Sequence, residues 1–281
     1  MHITIAGRLG SGKSTVCEVL RERRGFEVYS TGAIQRDMAR RMNLDTIEMN
    51  RRMAGNLEFD HMIDDATTKL AVEQSDPPII FDSRMAWHFA PVSFKVYMTV
   101  DPMTAARRVY GTRHSRVESY GSPEDAKEQL INRANLENER FKTIYGVDNY
   151  DYRNYDLVID ATFSTPETIA ETIYERYAAY CAAPFAETEL LLSPKSLYPM
   201  RDAESDCVTA APLDGYHFIV SGAALVLEAL ARGAEFVPAR LSSLTPREVT
   251  EMLSNMPLSV THDFETVGSF EYASYPEYYA G

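Results

Sequence analysis

Eight residues constrain this chain more than any others: Gly7-Arg8-Leu9-Gly10-Ser11-Gly12-Lys13-Ser14, which fits G-x-x-x-x-G-K-[ST]. They follow a β-type run at 2–6 and open a helical pattern at 13–23. Such a loop works when a strand delivers it and a helix N-terminus receives it, because its backbone N–H groups must curl around an anion. At average residue usage a chance match in a chain of this length has odds on the order of one in a hundred, and the strand–helix setting lowers them. Gly7, Gly10, Ser11 and Gly12 are therefore expected to cradle phosphates. Lys13 would reach the β- and γ-phosphates of a nucleotide, the Ser14 hydroxyl would bind Mg²⁺, and Thr15 would hold the α-phosphate.

Beyond the loop, strand and helix patterns alternate, as in an α/β fold with a parallel sheet flanked by helices. Strands are expected at 2–6, 27–29, 79–82, 95–100 and 157–159, and helices at 13–23, 33–42, 57–72, 102–110, 123–145 and 166–181. Sheets of this kind bind ligands at the carboxyl ends of their strands, which puts Asp82 and Arg84 in one cleft with the loop. Asp60 and Asp64 stand four apart on one helix face. Arg107, Arg108, Arg113 and Arg116 crowd one helix end and the loop after it, while Arg133, Glu137 and Arg140 share one face of the long helix from 123. Phosphoryl transfer needs such positive charge, with water excluded.

Ser30-Thr31-Gly32, with Arg36 on the next helix, resembles the acceptor side of nucleoside monophosphate kinases. The resemblance implies that Arg36 clamps the acceptor's phosphate while Ser30 and Gly32 lie against its sugar or base. A planar fork of donors suits a doubly charged phosphate better than lysine would. The stretch from Asp82 to Phe89 is similar to the short, archaeal-type cytidylate kinases, which implies a lidded kinase fold and transfer from ATP to CMP or dCMP. Asp82 then resembles the carboxylate holding the Mg²⁺ shell, and Arg84 contacts the acceptor phosphate. Asp60 accepts from the cytosine amino group, Arg133 and Arg140 reach the transferring phosphate with Glu137 orienting them, and Arg107 and Arg108 lie near the nucleotide. Trp87 and His88 read as packing residues. A regulatory module that binds ATP without transfer, or another small acceptor, remains the alternative at this point.

The segment Ala182-Ala183-Pro184-Phe185 breaks the last of these helices and reads as a linker between two units, 1–182 and 186–281. Residues 1–182 hold 23 Lys+Arg against 27 Asp+Glu, and residues 183–281 hold 5 against 14, balances of −4 and −9. A formal net charge of −13 argues against a general nucleic-acid binder. In the second unit, a strand at 217–221, a helix at 224–233 and a strand at 236–241 are expected. Leu192–Pro199 and the segments Gly215–Gly222 and Gly233–Pro238 resemble a small α+β domain of ParB/sulfiredoxin type. The basic residues such domains place at the helix start are missing at Ser221–Leu225, which makes it a degenerate member, suited to dimer contacts or to packing against the first unit. Residues 1–185 are expected to carry out transfer alone. No run approaches the roughly 20 apolar residues that span a bilayer, MHITIAG carries no evident signal peptide, and Cys17, Cys181 and Cys207 read as dispersed cytoplasmic thiols.

Overall fold

Strand β1 (His2–Gly7) is buried along its whole length, as an apolar run flanked on both sides by parallel strands must be. The structure is a computed structural model that describes residues 1–32, 34, 42, 57–73, 76–112, 120–200 and 203–254. Helix α1 (Lys13–Arg24) leaves the loop after β1 and leads to β2 (Glu27–Ser30). Helix α2 (Leu57–Glu73) precedes β3 (Ile79–Asp82), and the short α3 (Ala86–Phe89) precedes β4 (Ser93–Thr99). Helices α4 (Pro102–Thr112) and α5 (Pro123–Tyr145), which pack on each other, come before β5 (Leu157–Asp160) and α6 (Pro166–Ala182). All strand pairs among β1–β5 are parallel, in the order β2-β3-β1-β4-β5. The five expected strands are all present, with β4 starting two residues earlier than its pattern suggests. The helix expected at 33–42 lies outside the described residues except for 34 and 42.

The ends of α5 follow from local chemistry. Ser122 caps it by accepting from the Asp125 N–H, Pro123 takes the first turn, and Gly146 closes it in a left-handed conformation. Its first-turn acids Glu124 and Asp125 complement the helix dipole.

The sheet does not stop at β5. Strand β6 (Glu189–Leu192) pairs parallel with it, Leu157 opposite Glu189 and Ile159 opposite Leu191. From there β10 (Val237–Leu241), β8 (Val208–Leu213), β9 (Tyr216–Ser221) and β7 (Leu197–Pro199) complete one ten-stranded sheet. Helix α7 (Ala223–Ala231) and helix α8 (Pro246–Ser254) complete the region. One apolar cluster joins Ala6, Tyr97 and Val158 to Leu190, Leu192, Ile219 and Val226. The likeness to a small ParB/sulfiredoxin-type domain finds no support. These strands extend the first region's sheet, and beside the shared cluster a second one, with Met200, Leu213, Phe218, Val249 and Leu253, lies wholly within the C-terminal region. The apolar helix at 223 packs inward, with Val226 and Ala229 buried in the shared cluster. The sequence pattern missed β6, β7 and β8, because a four-residue Glu-Leu-Leu-Leu run and two strands interrupted by proline carry no alternation to read.

Two polar ties fasten the seam. Asp160, at the end of β5, accepts from the Ser196 hydroxyl, from the Thr162 N–H at 2.9 Å and from the Ser193 N–H at 3.3 Å. Burial pushes its carboxyl up, and these donors hold it partly back. Tyr152 shares a 2.9 Å hydrogen bond with Nε2 of buried His217.

Candidate active site

The phosphate loop leaves β1 through Gly7, whose φ of +146° is open to glycine. A Cβ there would lie 2.2 Å from the Met98 carbonyl oxygen of β4, so the close approach of loop and sheet itself demands glycine. The Arg8 N–H then donates to the same carbonyl at 3.0 Å. Gly10 rests on Ala105 of α4, and Gly12, left-handed, opens α1 without a side-chain cap. The N–H groups of Thr15 and Val16 at the start of α1 both donate to the Gly12 carbonyl, at 3.1 Å each. Lys13 folds back over it, its Nζ donating to the carbonyl oxygens of Gly7 at 3.1 Å and Arg8 at 3.3 Å. The Ser11 hydroxyl is buried without a hydrogen-bond partner among the described residues, a donor left over in a loop shaped for an anion.

Strand ends bring the next groups in. β2 and β3 run parallel with Ser30 opposite Asp82, and Oδ2 of Asp82 accepts from the Ser14 hydroxyl at 2.9 Å and the Ser30 hydroxyl at 3.1 Å. This set of hard oxygens fits Mg²⁺, a cation that keeps several waters and takes the rest of its shell from substrate phosphates. Among the described residues no cluster of three or more His, Cys, Asp or Glu could hold a metal by itself.

Two residues past Asp82, Arg84 turns toward α5. It forms an ion pair with Glu137, and Oε1 of Glu137 also accepts from Nε of Arg133 at 3.1 Å. Burial, and then the charges of Arg133 and Arg140, lower the Arg84 guanidinium to about 10. Two arginines paired with one carboxylate, with the Arg140 charge also reaching Arg84, form a site short of negative charge, which an incoming phosphate supplies. Arg140 sits 5.6 Å over the Phe141 ring. Gly7, Arg8, Arg84, Glu137, Asn138 and Tyr150 line one cleft between the loop and α5.

The remaining expected residues divide. Thr15 lies in the first turn of α1, and Gly32 follows β2 by two residues. Arg36 and the side chain of Asp60 lie outside the described residues, as do Arg113 and Arg116. Asp64 is buried and accepts from the Tyr145 hydroxyl at 2.6 Å. Arg107 is exposed on α4, with its charge acting on Glu124. Arg108 instead donates to the carbonyl oxygens of Ala161 at 2.7 Å and Thr162 at 3.0 Å, bracing the loop after β5. Trp87 is a packing residue, its Nε1 donating to Asn149 at 2.9 Å. Sequence reasoning passed over Arg8, whose position inside the loop hides it among residues read only as spacers. The cleft and its neighbours bring it out.

A family model described as the cytidylate kinase-like family matches residues 2–162. A cytidylate kinase of Sulfolobus acidocaldarius is 33% identical over 175 residues, covering 62% of this chain and 92% of that protein. One from Thermoplasma acidophilum is 32% identical over 180 residues, 63% of this chain and 92% of its own. A third, from Methanothermobacter thermautotrophicus, is 34% identical over 160 residues, 57% and 94%.

Proposed function

This chain belongs to the cytidylate kinase-like family, and from that premise we propose that it moves the γ-phosphate of ATP to cytidine monophosphate or its deoxy form, giving ADP and the diphosphate. The observation that carries the reading is the pair Arg84–Glu137 facing the phosphate loop across one cleft, with Arg133 paired to the same Glu137. A nucleotide switch needs the loop but has no use for a second arginine cluster opposite it.

In this reading the loop N–H groups, Lys13, Ser11 and Thr15 bind the ATP phosphates, with Arg107 nearer the nucleoside. Arg84 and Arg36 hold the acceptor phosphate, Ser30 and Gly32 lie beside its sugar or base, and Asp60 accepts from the cytosine amino group. Ser14 and Asp82 would hold Mg²⁺, which neutralises charge on the β- and γ-phosphates when bound. An oxygen of the acceptor phosphate forms the new bond to the γ-phosphorus, and the bond to the β–γ bridging oxygen breaks as ADP leaves. The attacking oxygen is already anionic, so no general base is required; the site's task is positioning and charge stabilisation. Arg133 and Arg140, oriented through Glu137, stabilise charge as it shifts between oxygens. Among the described residues no helix is long and apolar enough to cross a membrane; we place the reaction in the cytoplasm, in keeping with the dispersed thiols.

ADP release measured against a panel of nucleoside monophosphates tests this. CMP or dCMP should give the highest kcat/KM. A clear win for AMP, or for a non-nucleotide acceptor, would sink the cytidine assignment while leaving phosphoryl transfer standing.

A further inference from the structure

Arg8 is the second residue of the phosphate loop, and its backbone is fixed from two sides. Its N–H donates to the Met98 carbonyl at 3.0 Å, and its own carbonyl accepts from Lys13. Arg8 lines the cleft it shares with Arg84, Glu137 and Tyr150. There its guanidinium lies 5.1 Å over the Tyr150 ring, and its Nε is buried with no hydrogen-bond partner among the described residues. A cation enclosed in this way carries a desolvation cost that an ion-paired carboxylate ordinarily offsets.

The other wall comes from the C-terminal region. Strands β8 and β9 join through Asp214-Gly215, a two-residue turn with φ of +51° and +95°, the Asp-Gly geometry that matches strand twist. Gly215 lies flat against Arg8: a Cβ there would fall 2.8 Å from Cζ and 2.9 Å from Nε. The Asp214 carboxylate and buried His217 act electrostatically on the same side chain. A hairpin more than 200 residues away in sequence thus closes over the arginine of the loop.

We propose that Arg8 is a further phosphate-binding residue of this site, directed at the acceptor phosphate beside Arg84, and that the Asp214–Gly215 turn positions it. The assignment rests on the kinase reading above. Arg8 brings a planar fork whose free Nε and terminal nitrogens suit a dianionic phosphate. The tyrosine ring and the turn limit its rotamers, so little entropy is lost when the phosphate arrives. The C-terminal region takes part in catalysis through this contact without touching substrate.

The experiment uses the full chain and five proteins: wild type, Arg8→Met, Arg8→Lys, Gly215→Ala and the Arg8→Met/Gly215→Ala double variant. Arg8→Met should lower kcat/KM for CMP by about 10²-fold, while KM for ATP stays within about threefold of wild type. Arg8→Lys should recover only part of the loss, since an ammonium offers no planar fork. Gly215→Ala should lower the same parameter, and should cost nothing further when added to Arg8→Met, because the turn acts through the arginine. Wild-type kinetics in Arg8→Met would overturn the arginine's role, and fully additive losses would overturn the turn's. Should Arg8→Met melt below the assay temperature, Arg8→Lys carries the test, and unchanged kcat/KM for CMP in it overturns the proposal. An inactive wild type would fault the kinase reading; an active wild type with an equally active Arg8→Met faults this inference alone.

Discussion

The first 182 residues and the region from 186 onward obey different construction rules within one sheet. In the first, strands β1–β5 pair only in parallel, with helices on the crossovers, and their carboxyl ends gather the loop, Ser30, Asp82 and Arg84. In the second, pairing is mixed, a tight hairpin replaces a crossover, and acids outnumber bases by 14 to 5. Relatives matched over 92% of their own length leave more than a third of this chain without a counterpart. The contrast teaches that the two regions divide labour while sharing one sheet and an apolar cluster. One concentrates cations where phosphates arrive; the other completes the sheet edge and braces a single loop arginine.

Cutting the chain after residue 185 strains the comparison hardest. β5 would lose its neighbour, buried Leu190, Leu191 and Leu192 would leave the shared clusters, and Asp160 would lose two of its donors. Truncating one buried leucine typically costs about 2–5 kcal/mol, against a whole-domain stability of about 5–15 kcal/mol. The fragment 1–185 should therefore be unfolded or aggregated by thermal melting and size-exclusion chromatography. A soluble fragment with full-length kcat and melting temperature would show that the seam is incidental. The sequence reading expects residues 1–185 to work alone; the pairing of β5 with β6 argues for the opposite result, and this fragment decides between them.

Smaller effects sharpen the catalytic half. Lys13→Ala should abolish measurable transfer. Arg133→Ala and Arg140→Ala should each reduce kcat by about 10²–10³-fold, with much weaker effects on ATP binding, because those contacts develop mainly in the transition state. Near-normal kcat in both arginine variants would remove α5 from the mechanism.

The smallest effect concerns the seam and pH. Burial, and then the Arg8 charge, push His217 down to about 3. A depressed histidine is neutral in the folded protein while the unfolded chain takes up a proton below about pH 6.5, so its contribution is present above that pH and lost as pH falls toward 3. His217→Gln keeps an acceptor for Tyr152 and removes the titration. Its melting temperature should fall less steeply than wild type between pH 7 and pH 5. Parallel slopes would mean that His217 does not couple the regions to pH.

The phosphate loop, five strands and the i, i+4, i+7 face of Arg133, Glu137 and Arg140 were legible in the chain because each is a local pattern: a motif, a short buried run, a helical period. The same locality made Asp82 and Arg84 readable, since a strand's carboxyl end faces the cleft whatever its neighbours are. Tertiary structure alone decided that Glu137 pairs with Arg84 as well as Arg133 and that Arg108 braces the loop after β5. It also decided that β6–β10 extend the first sheet and that Gly215 meets Arg8. Strand partners and buried charge contacts are chosen by which distant surfaces exclude water together. That choice belongs to the whole packed chain and leaves no period in the sequence.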